Sequence, residues 1–225
     1  MKSASERRER LAAARLMLLF TPGLCPPGRD PLEILAAVLP FVDVVQVRIK
    51  EGALPLGPAR ATCDWTRRVL ALVANARPSV LVLVNDRVDV AAALAVEGVD
   101  GVHLGAADAP PALARTLLGP AALIGLSTHS AREVAEAWAL PIDYLGFGPV
   151  HGTKTKGYER GLGPEAAWAA AQASPFPLFP IGGIDANNAG ELATVGRAAV
   201  SGALLAADDP ARAAEAIALQ LAAGE

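Results

Sequence analysis

What most constrains this chain is an alternation repeated eight times. Short apolar runs near 15–20, 43–48, 80–84, 101–104, 122–126, 143–147, 177–181 and 198–201 take turns with longer Ala-rich stretches. Those stretches lie near 31–39, 58–76, 88–97, 110–118, 130–139, 164–173, 186–194 and 209–222. The short runs suit buried strands and the longer stretches suit helices. Strands that alternate with helices build a parallel sheet covered by those helices. Eight such units in 225 residues predict an α/β fold closed as a (β/α)8 TIM barrel rather than an open doubly wound sheet. The chain reads as one barrel domain over 1–225, with 1–14 as a helical extension; over 3–14 charges alternate with Ala, which predicts a solvated helix.

Composition narrows the function classes. Apolar residues make up 52% and aromatics 4%, so the core must be aliphatic, and Trp65, Trp138 and Trp168, all in helical stretches, read as packing residues. A net charge of −3 gives no reason to invoke nucleic acid or an anionic membrane; any basic site must be local. No apolar run reaches the roughly 18 residues of a membrane span. The first ten residues are polar and charged, unlike a signal peptide, and Cys25 and Cys63 stand in no metal or redox spacing. The expectation is a cytoplasmic, reduced protein.

A barrel of this kind builds its site from the loops at the carboxyl ends of its strands, and the polar residues fall there. Strand 2 ends in Gln46-Val47-Arg48-Ile49-Lys50, where an alternation of two sends 46, 48 and 50 to one side. Strand 3 ends at Asn85-Asp86, strand 4 at His103 with Asp108 just beyond, and strand 5 at Ser127-Thr128-His129. Strand 7 runs into Gly182-Gly183 and strand 8 into Ser201-Gly202, which matches the phosphate position of this fold, where backbone N–H groups and a short helix receive an anion.

The stretch least like ordinary folded chain follows strand 6. Thr153, Lys154, Thr155 and Lys156 place two hydroxyls and two ammonium groups between Gly152 and Gly157, a composition suited to phosphate or pyrophosphate. The polar loop from Gly152 to Gly161 reads as a lid. Asp86 and Asp108 are candidate Mg²⁺ ligands, since magnesium takes one or two carboxylates plus substrate phosphates; singly, each also suits a helix cap. A zinc site on His103, His129 and His151 lacks both a nearby carboxylate base and a motif spacing.

Together these residues resemble thiamine phosphate synthase. The resemblance rests on Gln46-x-Arg48-x-Lys50, Asn85-Asp86, Gly101-Val102-His103-Leu104-Gly105, Gly125-x-Ser127-x-His129, Gly148-Pro149-x-x-x-Thr153-x-Thr155-Lys156 and Ile181-Gly182-Gly183-Ile184. It covers about Leu16 to Leu221 and implies a barrel, usually dimeric, that joins hydroxymethylpyrimidine pyrophosphate to a thiazole phosphate. The products are thiamine monophosphate and pyrophosphate, the latter leaving before the thiazole nitrogen attacks a pyrimidine carbocation. By the resemblance Arg48, Lys50, Asn85 and Lys156 hold the pyrophosphate, and Asp86 and Asp108 bind Mg²⁺. Gln46, His103 and Ser127 surround the pyrimidine; Thr153, Thr155, Gly182, Gly183, Ser201 and Gly202 take the thiazole phosphate. Arg48, Lys50, Lys156 and Ser127 then form the catalytic set, with His129 among the substrate-binding residues.

Three positions depart from the family pattern: Ala106 for a common Gln, His151-Gly152 for an aromatic-Pro pair, and Ala203-Leu204 where a Ser often meets the thiazole phosphate. Two alternatives share the fold. One is a thiazole tautomerase, which His129 and Arg87-Val88-Asp89 resemble but which has little use for Lys50, Asp86, Asp108 or Lys156. The other is a silent homologue that binds thiazole or thiamine phosphates, whose signature would be loss of a metal ligand or of a pyrophosphate cation.

Overall fold

The structure is a computed structural model, and it describes residues 2–49, 57–152 and 161–224. Eight strands form one parallel sheet: β1 (Leu16–Phe20), β2 (Val44–Val47), β3 (Leu81–Asn85), β4 (Gly101–Leu104), β5 (Leu123–Thr128), β6 (Tyr144–Phe147), β7 (Leu178–Pro180) and β8 (Ala198–Val200). Each neighbours the next in sequence, β8 returns to pair with β1, and a parallel bridge between Ile181 and Ala199 closes the circle. Helices α1 (Ala4–Ala13), α2 (Pro31–Val38), α3 (Pro58–Ala76), α4 (Val88–Ala93), α5 (Pro111–Leu118), α6 (Ala131–Glu136), α7 (Pro164–Ala173), α8 (Gly202–Leu205) and α9 (Pro210–Ala222) complete the (β/α)8 TIM barrel.

The strands are apolar on both faces because both faces are covered. On β1, Leu16, Leu18 and Phe20 point outward into a layer shared with the helices, while Met17 and Leu19 point into the barrel. The interior is small and aliphatic with two aromatic exceptions, Tyr144 and Phe179. Trp65 packs edge-on against Phe20, as a packing residue should. Trp138 and Trp168 do not: they are 54% and 48% exposed, so their helical context placed them on outer faces.

The N-terminal helix is not the solvated extension that its charges predict. Leu11 and Ala14 join the barrel's inner cluster, so α1 closes the end opposite the strand carboxyl termini. Its cations are spent inward: Arg7 Nε and Lys2 Nζ each lie 2.9 Å from the carboxylate of Asp100, which is 1% exposed and also accepts from Val82 N–H. Arg197 donates to the carbonyls of Ala12 and Ala14, placing a cation at the carboxyl end of α1. At its start Ser3 and Glu6 form a capping box, each side chain accepting from the other's N–H. Ser3→Ala is expected to lower stability by about 1 kcal/mol, read by urea unfolding; an unchanged midpoint would mean that the plug holds α1 without its cap.

A second difference lies after β7, where a helix over 186–194 is expected. A single 3-10 turn, Ala189–Leu192, stands there instead. Asp185 and Asn188 explain it: Asn188 Oδ1 accepts from Asp185 N–H, Asp185 Oδ1 accepts from Asn187 N–H, and Asn188 Nδ2 donates to the Gly183 carbonyl. These side chains offer the backbone an alternative to helical bonds. Among the described residues no helix is long and apolar enough to cross a membrane.

Candidate functional site

A cavity of about 290 Å³ opens at the carboxyl ends of the strands. Gln46, Arg48, Asn85, His103, Ser127, His129, Gly182, Gly183, Ser201 and Gly202, all expected site residues, line it. Strand parity brings them together: Gln46, Asn85, His103 and Ser127 share the inward side with Met17, Leu19 and Phe179. Lys50, Thr153, Thr155 and Lys156, and with them most of the expected lid, lie outside the described residues.

One side of the mouth carries Arg48, with Asp86 and Asp108 beside it but outside the cavity lining. Arg48 follows β2 and is half-buried; burial holds its pKa below the ordinary arginine value, an effect that nearby Asp86 opposes. Among the described residues no carboxylate comes within ion-pair distance of its guanidinium. Asp86 sits at φ 64°, the left-handed region, with its N–H on the His103 carbonyl. Its carboxyl is pushed up to about 6, first by burial and then by the hydrogen bond and charge of Asp108, against the pull of Arg48 and Asn85. Neither aspartate is a helix cap here. Asp108 accepts from Gly105 N–H at 2.7 Å, and α4 and α5 begin without side-chain capping bonds.

The opposite side is backbone. Gly182 and Gly183 both take positive φ, 105° and 64°. A Cβ on Gly182 would lie 2.6 Å from Pro149 Cβ, and one on Gly183 2.7 Å from His151 Cβ, so neither position admits a side chain. The chain turns from β8 into α8 beside them, and the first N–H groups of that turn precede its first internal bond, from Leu204 N–H to Ser201 O. Ser201 Oγ donates to the Leu19 carbonyl, so Ser201 offers its backbone to the cavity rather than its hydroxyl.

Between the two sides lies a polar floor. Gln46 is 2% exposed; its amide nitrogen is 3.6 Å from Met17 Sδ, and among the described residues its carbonyl oxygen has no hydrogen-bond partner. His103 bridges Tyr144 and Ser127. His129 Nδ1 donates to the Gly148 carbonyl at 2.5 Å, which in the neutral ring leaves the Nε2 lone pair free to accept. Tyr144 was missed by reading the sequence, since an aromatic residue in an apolar strand reads as packing. The signal available was parity: Tyr144 shares the inward side with Ser127 through the pairing of Gly125 with Tyr144.

Fold and site together define a (β/α)8 barrel whose mouth sets a half-buried cation, with a carboxylate pair beside it, against a glycine cradle. The sequence pattern described as thiamine monophosphate synthase matches residues 16–204. Thiamine-phosphate synthase of Gloeobacter violaceus is 43% identical over 213 residues, 93% of this chain and 58% of the relative. That of Anaeromyxobacter dehalogenans is 40% identical over 193 residues, 83% of this chain and 81% of the relative. The chain thus spans little more than half the length of the Gloeobacter violaceus relative. Among solved structures, thiamine phosphate pyrophosphorylase from Pyrococcus furiosus superposes with a TM-score of 0.76 at 29% identity, covering 95% of this chain and 96% of that one. The chain belongs to the thiamine monophosphate synthase family.

Proposed function

We propose that this chain joins hydroxymethylpyrimidine pyrophosphate to a thiazole phosphate, releasing pyrophosphate and forming thiamine monophosphate. The observation that carries this reading is the pairing, in one cavity, of a charged anion side and a backbone anion side across a polar floor. Two anionic substrates that must meet need two such receivers, and a heteroaromatic ring between them needs directional partners. Gln46, His103 and Ser127 supply those partners; Arg48 and Asn85 hold the pyrophosphate; Gly182, Gly183, Ser201 and Gly202 receive the second phosphate through their backbone. Lys50, Lys156, Thr153 and Thr155 belong to the same reading on sequence alone.

As the carbon–oxygen bond breaks, negative charge accumulates on the leaving pyrophosphate. A cation about 4 Å away contributes on the order of 4 kcal/mol at an effective dielectric near 20, before desolvation is subtracted. Arg48 is built for that task, being placed in the wall at a cost in solvation that an anion recovers. Asp86 and Asp108 fit a magnesium ion, because the hydrogen bond and charge of Asp108 help to raise the Asp86 carboxyl and a cation between the two carboxylates would relieve that. Bound there, magnesium would neutralise phosphate charge. A ring nitrogen with a free lone pair attacks without a general base.

A homodimer and a cytoplasmic location complete the reading. Exposed Leu113, Leu117, Trp138 and Leu140 offer apolar surface for a second copy, and free Cys25 and Cys63 suit a reducing compartment. The test of function is pyrophosphate release from the pyrimidine substrate with Mg²⁺, with and without hydroxyethylthiazole phosphate, the organic product being identified by mass. Thiazole-dependent release with thiamine monophosphate is expected; release of neither product under conditions where a known synthase works would overturn the reading.

A further inference from the structure

Neither anion side uses Tyr144. It is fully buried inside the barrel, and its phenolic oxygen lies 2.9 Å from His103 Nδ1. Across the same imidazole, Nε2 lies 2.9 Å from Ser127 Oγ. Side chains from β6, β4 and β5 therefore make one hydrogen-bonded chain that ends at a hydroxyl on the cavity wall. The strands are cut to hold it. His103, Gly125 and Tyr144 stand in register across β4, β5 and β6. A Cβ on Gly125 would lie 2.0 Å from Tyr144 Cζ, and one on Gly146 3.2 Å from His103 Cε1. Two absent side chains thus make the room that two rings occupy.

A neutral imidazole between two hydroxyls transmits direction, because one ring nitrogen donates and the other accepts. With Tyr144 O–H donating to Nδ1, the ring proton sits on Nε2 and is donated to Ser127 Oγ. The Ser127 proton is then left to point at a ligand. With the other tautomer Nε2 accepts from Ser127, and that proton turns away from the cavity. A phenol is the better donor and an imidazole nitrogen the better acceptor, which favours the first arrangement. Burial also pushes the Tyr144 phenol well above its ordinary pKa, so its proton is retained.

We infer that Tyr144 is a positioning residue, which fixes the Nε2–H tautomer of His103 and through it aims the Ser127 hydroxyl proton at an acceptor atom of the substrate. On the function proposed above, on which this part rests, that acceptor belongs to the pyrimidine ring.

Two measurements test the inference. In wild-type protein labelled with ¹⁵N-histidine and assigned with a His103→Gln variant, long-range ¹H–¹⁵N correlation should show His103 protonated at Nε2 and bare at Nδ1. A proton at Nδ1 overturns the inference, whatever the substrate proves to be. In kinetics, Tyr144→Phe should lower kcat about tenfold with Ser127 present and less than about twofold in a Ser127→Ala background, since two residues that act through one hydroxyl are not additive. Equal losses in both backgrounds would make Tyr144 merely structural. Inactive wild-type enzyme would instead count against the proposed function and leave the tautomer result standing.

Discussion

Arg48→Ala is expected to lower kcat for pyrophosphate release by about 1000-fold, the upper end of what removing one preorganised charge costs. Its guanidinium lines the cavity half-buried, with its pKa lowered by burial and no carboxylate in ion-pair distance among the described residues. Such a group is poorly solvated before substrate arrives and gains most when charge develops beside it. Loss in kcat rather than in KM alone is the signature of an interaction that strengthens in the transition state. Lys at the same position should recover little, because an ammonium cannot reproduce the two parallel donors of the fork. The melting temperature of Arg48→Ala should be unchanged or raised, since the folded protein sheds a desolvated cation. Steady-state kinetics and thermal unfolding on one preparation decide the matter; a loss below about tenfold would remove Arg48 from the departing charge.

The barrel was legible because its signal is periodic and repeated. Expected and observed strands agree to within a residue or two, since a short apolar run has few ways to be buried on both faces. Long-range pairing was not legible. Arg7 reads as solvated because its partner Asp100 is distant in sequence, and nothing local announces it. The segment after β7 has helical composition, but Asp185 and Asn188 bind backbone groups and hold it in turns. In the site, Gln46, Arg48, Asn85, His103 and Ser127 could be placed because strand parity and strand ends fix their address. Tyr144 could not, because its role depends on glycines in neighbouring strands. Asp86 was legible as a carboxylate at a strand end, yet its left-handed backbone and its closeness to Asp108 exist only in the folded chain.

Asp86→Asn should act on stability and on activity in opposite directions. Folding raises the Asp86 carboxyl from 3.8 to about 6, so between those values the native state holds a proton that the unfolded chain has released. Stability of metal-free protein therefore falls as pH rises from about 4 to about 6, and the penalty is complete above that. Below about 4 the carboxyl is protonated in both states and costs nothing. Asn tolerates the left-handed region at least as well as Asp, which keeps the backbone out of the comparison. The variant should thus melt above wild type at pH 8 in chelator, with the difference vanishing near pH 4. A difference independent of pH would show that the gain has another origin. Activity should move the other way, with kcat falling about 100-fold at low millimolar Mg²⁺ and partly recovering as magnesium is raised, because one carboxylate remains to hold the ion. An unaltered magnesium titration would leave Asp86 a destabilising carboxylate without a task. Both results together would mean that the fold tolerates two like charges at the cavity mouth because the reaction needs a cation placed where the pyrophosphate departs.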